Sequence, residues 1–322
     1  MFRVLAFEGS HEKGLELLRS RSDLVKLEMT NATTPPALTE AVSGVDAIIV
    51  RTAVLTRDIL AEAPNLRIVS RHGVGYDNVD VAYLSSRGIP MALAVDSNVT
   101  SVAEHTLMLL LALAKDTFAC DREQRRGNYK YRDRRTAVDI GGRTALVLGY
   151  GRIGRQVAKV LGLLGMHVRV FDPYVKPEQL DAGQTYVSDY RAALPQADVV
   201  SLHVPLTPET AGCIGAAELA TMKPTAFLLN CARGGLVDEA ALYAALKERR
   251  LAGAGLDVFE NEPPDADNPL FTLENVIVSP HNAALTDECA ARMSLQAARN
   301  VIDCLEGRLE PRVVVNRKEL DL

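Results

Sequence analysis

The chain has 322 residues, 48% of them hydrophobic and 24% charged, a length sufficient for two domains that each bury a core of their own. A formal net charge of -5 argues against a nucleic-acid surface, which carries a basic excess. The five cysteines form no C-x-x-C pair and no zinc-type spacing, so no metal is expected, and their odd count fits reduced thiols in the cytosol. In chain order, Met1–Glu8 opens as a strand and not as a signal peptide. Strands are predicted at Val4–Phe7, Val25–Glu28, Ala47–Arg51, Arg67–Ser70 and Met91–Val95, with polar helical stretches such as Gly14–Arg19 and Asp58–Ala63 between them. That alternation predicts a parallel sheet with helices on its faces.

A long helix is predicted from Thr100 to Asp116, capped near Ser97-Asn98, with Leu107, Leu110, Leu111 and Ala114 as its apolar stripe. Its apolar run, Leu107 to Ala114, is well short of the roughly 18 residues that span a bilayer, so a soluble, cytoplasmic protein is expected. A charged, irregular stretch follows from Asp121 to Asp139. The basic residues between Arg122 and Arg135 alternate with acids and read as a solvated face, with an anionic ligand as the other reading. A second alternating block runs from the strand Thr144–Leu148 to Val276–Ser279, and a last apolar-patterned helix spans Asp287 to Glu306.

The second block opens with a dinucleotide fingerprint, Gly149-Tyr150-Gly151-Arg152-Ile153-Gly154, after a strand-like run and before a helix-compatible segment. Gly149 permits the tight turn, Gly151 lets the backbone approach a pyrophosphate, and Gly154 lets helix and strand pack closely. Asp172 ends the next strand, eighteen residues on from Gly154. A carboxylate there accepts ribose hydroxyls and repels a 2′-phosphate, so the expected cofactor is NAD. An ordinary turn aspartate before Pro173 is the plainer alternative. His203 reads as a structural histidine at a strand end.

Three short segments follow: Asn230-Cys231-Ala232-Arg233-Gly234-Gly235, Asp257 to Pro263 with Glu262, and Ser279-Pro280-His281-Asn282-Ala283-Ala284. They place a cation, a carboxylate and an imidazole in that order, Glu262 lying twenty-nine residues after Arg233 and nineteen before His281. Reducing a 2-keto acid needs a cation for the carboxylate and carbonyl, and an acid to protonate the oxygen. Arginine and histidine suit those tasks.

With the fingerprint, these motifs resemble the D-2-hydroxyacid dehydrogenase family, near its phosphoglycerate dehydrogenase and hydroxypyruvate reductase branches, over nearly the whole chain. The resemblance implies an α/β fold of two Rossmann-like, doubly wound parallel-sheet domains with the nucleotide domain inserted into the substrate domain. Residues 1–98 and 288–322 would form the substrate-binding domain and 99–287 the NAD-binding domain. It implies Arg233, Glu262 and His281 as catalytic residues, with Glu262 the partner of His281. In the formate dehydrogenase branch a glutamine stands at that position; the Glu–His pair implies a substrate with a hydroxyl to deprotonate. It further implies that Val204, Pro205 and Thr210 line the cofactor, that Cys231 and Ala232 contact it through backbone, and that Asp257 holds the nicotinamide carboxamide. No thiol chemistry is expected of Cys231.

In Arg71-His72-Gly73-Val74-Gly75-Tyr76-Asp77-Asn78, the Val74 and Gly75 N–H groups would receive the substrate carboxylate, and Arg51 the anionic end of a substrate such as 3-phosphoglycerate. The plain reading of Arg51 is a surface arginine. Between Gly127 and Gly142 the sequence departs from the family, which commonly carries a tryptophan and Gly-x-Glu-Leu. Here Tyr129, Tyr131 and Val138-Asp139-Ile140 stand instead, and the chain has no Trp. The resemblance also implies a homodimer through the Thr100–Ala114 helix. The tail Pro311–Leu322 is expected to be too short for an added regulatory domain. A hydroxypyruvate or glyoxylate reductase is the alternative enzyme, and an NAD(H)-sensing, corepressor-like binding protein the alternative of another class.

Overall fold

A computed structural model describes residues 1–322. The chain divides into two units, one formed by Met1–Asn98 with Leu285–Leu322 and one by Val99–Ala284. In the first unit, strands β1 (Phe2–Phe7), β2 (Val25–Thr30), β3 (Ala47–Val50), β4 (Ile68–Arg71) and β5 (Met91–Leu93) form a wholly parallel sheet in the order β2-β1-β3-β4-β5. The sequence of β3, Ala-Ile-Ile-Val, is buried throughout, as expected of a strand covered on both faces. One apolar cluster gathers Leu5, Ile48, Val50 and Val69 on one face, and another gathers Val4, Ala6, Ile49 and Ile68 on the other. The helix Asp287–Leu305 joins the second cluster through Ala297, Ala298, Val301 and Ile302. Thr286 caps it, its hydroxyl accepting the Cys289 N–H at 3.1 Å.

The second unit holds seven parallel strands: β6 (Thr144–Leu148), β7 (His167–Phe171), β8 (Thr185–Tyr186), β9 (Val199–Leu202), β10 (Phe227–Asn230), β11 (Gly253–Leu256) and β12 (Val276–Val278). Their order is β12-β11-β10-β9-β6-β7-β8, so the chain reverses direction across the sheet at the β6–β9 junction. Ligands of open α/β sheets bind at that switch point, beyond the carboxyl ends of the strands. Both sheets are parallel and helix-covered, so the expected fold class is what the chain adopts.

Two sequence expectations change. The helix Val99–Ala114 buries Val102, Thr106, Leu109, Leu110 and Ala114, whereas Leu111, expected in the stripe, is 38% exposed. The helix meets β11 at Gly253 and Gly255, which take Leu113 and Leu109 at close range and so set its buried face. The stretch expected to be irregular contains an α-helix, Thr117–Arg125, and a 3-10 turn, Tyr129–Arg134. Neither buries a residue, so no apolar period announced them. Charged pairs run along that helix and its end, Arg125 Nε–Asp121 Oδ2 at 2.8 Å and Arg126 Nη1–Glu123 Oε1 at 3.2 Å. No helix is long and apolar enough to cross a membrane.

Candidate active site

Strands β10, β11 and β12 are adjacent and parallel, with Asn230 opposite Leu256 and Leu256 opposite Val278. The segments that follow them therefore emerge side by side at the carboxyl edge of the sheet. Arg233 leaves β10 through a tight turn built by Asn230, which is 2% exposed. Its Oδ1 accepts the Ala232 N–H at 3.0 Å, and its Nδ2 donates to the Arg233 carbonyl at 2.8 Å. Arg233 Nη1 donates to the Ala232 carbonyl at 2.7 Å. A Cβ added at Gly234 would lie 1.7 Å from the Phe259 carbonyl oxygen, so only glycine lets this turn approach the segment that leads to Glu262.

Across the next two loops, His281 Nδ1 lies 2.7 Å from Glu262 Oε2. Glu262 Oε1 accepts the Phe259 N–H at 3.2 Å, which orients the carboxylate. A carboxylate accepts and does not donate, so Nδ1 carries hydrogen, an arrangement in which Nε2 is able to exchange a proton. Half of the His281 side chain and 36% of that of Glu262 are exposed, so the pair is open to a ligand.

Asp257, 0% exposed, sits beneath this loop. Its Oδ1 accepts from Ser279 Oγ at 2.6 Å and the Asn282 N–H at 2.9 Å, and its Oδ2 from the Ala283 N–H at 3.0 Å. A carboxylate oxygen has two lone-pair sites, so Oδ2 keeps one beyond these contacts. Ser279 Oγ also contacts His105 Nε2 at 2.8 Å. Sequence reasoning missed His105 and Ser279, because no local spacing links residues 174 positions apart. Cys231 is buried, and burial pushes its thiol up to about 12, so it holds no thiolate at neutral pH.

The fingerprint is built for a close ligand. Gly149 has a φ of 93°, which favours glycine, and its carbonyl lies 2.0 Å from where a Cβ on Gly154 would stand. Nothing lies within 4 Å of a Cβ position on Gly151. Gly151 is the N-cap of the helix Arg152–Leu163 and offers no capping side chain. The first-turn N–H groups of Arg152, Ile153 and Gly154 thus suit a diphosphate. Asp172 follows β7 and accepts the Tyr150 N–H at 2.8 Å and the Tyr174 N–H at 2.9 Å, tying the strand end to the glycine turn. Val204 packs against Gly149, and Thr210 folds the loop back by donating to the Pro205 carbonyl at 2.6 Å. His203 contacts Ser201 Oγ at 2.8 Å, and desolvation pushes its imidazole down to about 4, as suits a structural histidine.

Arg51, Val74 and Gly75 belong to the first unit, whereas Arg233, Glu262 and His281 belong to the second. Arg51 follows β3 and donates from Nη1 to the Glu8 carbonyl at 3.3 Å. Val74 and Gly75 follow β4, beyond the buried His72. Burial pushes the His72 imidazole down to about 4, with the Arg51 and Arg71 charges acting the same way.

Residues 107–283, more than half of the chain, match the D-isomer specific 2-hydroxyacid dehydrogenase, NAD binding domain family. The chain is 39% identical over 316 residues to a D-3-phosphoglycerate dehydrogenase of Methanocaldococcus jannaschii, a match covering 98% of this chain and 59% of that one. It thus spans less than two thirds of that relative's length. It is 37% identical over 320 residues to a glyoxylate reductase of Korarchaeum cryptofilum, covering 97% of this chain and 95% of the relative. Among solved structures, a D-lactate dehydrogenase of Aquifex aeolicus complexed with NAD and lactic acid superposes with a TM-score of 0.87 at 29% identity, covering 97% of this chain and 98% of that one. With its two parallel sheets, its glycine turn and these relatives, the chain belongs to the D-isomer-specific 2-hydroxyacid dehydrogenase family and carries the family's NAD-binding domain.

Proposed function

We propose that this protein interconverts a D-2-hydroxy acid and its 2-keto acid, with NAD as hydride partner. The observation that carries the proposal is the His281–Glu262 contact of 2.7 Å, on loops that leave the same sheet edge as Arg233. Bound nicotinamide supplies the hydride acceptor or donor. Arg233 holds the substrate carboxylate in its planar fork and polarises the C2 carbonyl. His281 Nε2 gives a proton to the oxygen in reduction and takes it in oxidation, while Glu262 fixes the tautomer and orients the ring. Gly149, Gly151, Arg152, Ile153 and Gly154 hold the diphosphate and Asp172 the ribose. Val204, Pro205, Thr210, Cys231, Ala232 and Asp257 line the remainder of the cofactor.

For substrate we propose 3-phosphoglycerate or a related anionic acid, its carboxylate on the Val74 and Gly75 N–H groups and its far end on Arg51. The arginine's place at a strand end in the first unit and the resemblance to phosphoglycerate dehydrogenases support this. A glyoxylate or hydroxypyruvate reductase is the second reading, favoured by the match that spans 95% of a glyoxylate reductase. Steady turnover of any 2-keto acid separates both from a corepressor-like NAD(H) sensor. The test is a panel of 2-keto and 2-hydroxy acids with NAD(H), repeated on Arg51→Ala. A charge-assisted contact is worth roughly 1.5–3 kcal/mol. Its loss should therefore lower kcat/KM for the phosphorylated acid about ten- to a hundredfold while sparing glyoxylate. Equal losses on both would make Arg51 a support of the fold, and no loss on either would favour the small-acid reductase.

We also propose a cytoplasmic homodimer. The helix Val99–Ala114 exposes Met108 and Leu111, and Phe118 on the helix that follows is 56% exposed. The five thiols suit a reducing compartment. Light scattering that returns the monomer mass of 34.9 kDa at micromolar concentration would refute the dimer.

A further inference from the structure

Beneath the His281 loop runs a chain of hydrogen bonds to Asp257 in which the proposed reaction gives no part to His105 or Ser279. His105 lies on the helix Val99–Ala114, its side chain 16% exposed, and places Nε2 2.8 Å from Ser279 Oγ. Ser279 Oγ in turn donates to Asp257 Oδ1 at 2.6 Å. A serine has one proton and a carboxylate only accepts, so Ser279 must accept from His105. The order is therefore His105 Nε2–H to Ser279 Oγ–H to Asp257 Oδ1. Asp257 then grips the loop at four points: the Ser279 hydroxyl, the Asn282 and Ala283 N–H groups on its carboxylate, and the His281 N–H on its carbonyl at 2.8 Å.

His281, in the middle of that grip, has a φ of 49°. A non-glycine residue keeps this left-handed backbone only where its surroundings hold it. The side-chain direction that brings His281 Nδ1 to Glu262 depends on that backbone. The serine hydroxyl is the one member of the grip free to rotate, and His105 removes that freedom by occupying its acceptor side.

We infer that His105 is a positioning residue, which fixes the Ser279 hydroxyl on Asp257 and thereby holds the loop that aims His281. The inference rests on the proton-transfer role proposed for His281. Four variants of the full chain test it: His105→Phe, His105→Gln, Ser279→Ala, and His105→Phe combined with Ser279→Ala. Each is read by kcat and KM on whichever 2-hydroxy acid the parent turns over, and by the side-chain NMR titration of His281 in histidine-labelled protein.

Misplacing a reacting group by a fraction of an ångström costs rate and not binding, so His105→Phe should lower kcat about tenfold with KM little changed. The amide of His105→Gln can donate to Ser279 and should restore most of the rate. His105 Nε2 also lies 3.6 Å from Asp257 Oδ1, but the 2.8 Å contact to Ser279 Oγ is the hydrogen bond, so the double variant should be little slower than Ser279→Ala alone. The His281 titration should move in His105→Phe and return in His105→Gln. A glutamine variant as slow as phenylalanine, additive losses in the double variant, or a His281 titration indifferent to position 105 would each overturn the inference. If His105→Phe does not fold, His105→Asn, whose amide is too short to reach Ser279, carries the same expectation. A parent protein without turnover on any 2-hydroxy acid would sink the dehydrogenase reading instead, and the titration alone would then decide the role of His105.

Discussion

Asp172 accepts backbone N–H groups from Tyr150 and Tyr174, which holds the glycine turn against the end of β7. In the ribose-binding role proposed for it, its charge would oppose a 2′-phosphate. Asp172→Ser should therefore lower kcat/KM with NAD by about tenfold or more, the value of a charged hydrogen bond, while NADP efficiency holds or rises. An unchanged NAD/NADP ratio would count against a ribose contact. At His281 the proposed chemistry depends on how the ring is held. Glu262 accepts from Nδ1–H and is itself oriented by the Phe259 N–H, so Glu262→Ala should lower kcat about tenfold or more with cofactor binding little changed. An unchanged kcat would mean that Glu262 is not the partner. His281→Ala should cost about 10²–10⁴-fold in rate while NADH still binds, as loss of a general acid does.

At the scale of elements, β11 decides how closely the helix Val99–Ala114 lies on the sheet. A Cβ on Gly255 would meet Leu109 Cβ at 2.9 Å and Leu229 Cδ2 at 3.1 Å, so both neighbours would have to give way. Gly255→Val should destabilise the fold by about 1–3 kcal/mol, the usual cost of overpacking a core. It should also lower kcat, because Asp257 and its grip on the His281 loop begin two residues on. A denaturation midpoint equal to the parent's would show that the helix can retreat without penalty. The same contact explains what sequence could and could not give. Most strands and the Arg152–Leu163 helix were legible because apolar runs and the glycine turn are local signals, whereas the two-residue strand β8 has no apolar run. That the segments carrying Arg233, Glu262 and His281 leave one sheet edge was legible because each follows an apolar strand. The burial of Leu109 in place of Leu111 was not legible, since it depends on which glycines the helix meets more than a hundred residues later. The Thr117–Arg125 helix buries nothing and left no apolar period. His105 looked like any polar position on an apolar helix until the fold brought Ser279 to it.

On the scale of the whole molecule, two histidines, one in each unit, should set how the protein tolerates acid. His72 follows β4 in the first unit and His203 follows β9 in the second, and both imidazoles are pushed from 6.5 down to about 4. Burial is the main cause for His72, with the Arg51 and Arg71 charges added, and burial is the cause for His203. The unfolded chain therefore takes up protons between pH 6.5 and 4 that the folded chain refuses. Where the unfolded state binds more protons, stability rises with pH. The contribution is fully present above pH 6.5, is lost as pH falls toward 4, and changes no further below that, where both states are charged. A shift of that size corresponds to at most about 3 kcal/mol for each group. The urea midpoint should accordingly fall between pH 7 and pH 5, well before most carboxylates titrate. His72→Gln and His203→Gln should each flatten that slope, because an amide has no proton to take up. Parallel slopes in the parent and both variants would show that these imidazoles are not kept neutral by the fold. His203→Gln should also separate stability from catalysis. His203 contacts Ser201 and not the His281–Glu262 pair, so the pH profile of turnover measured above the unfolding range should stay that of the parent. A displaced profile in His203→Gln would instead tie the glycine turn, against which His203 packs, to the placement of the reacting groups.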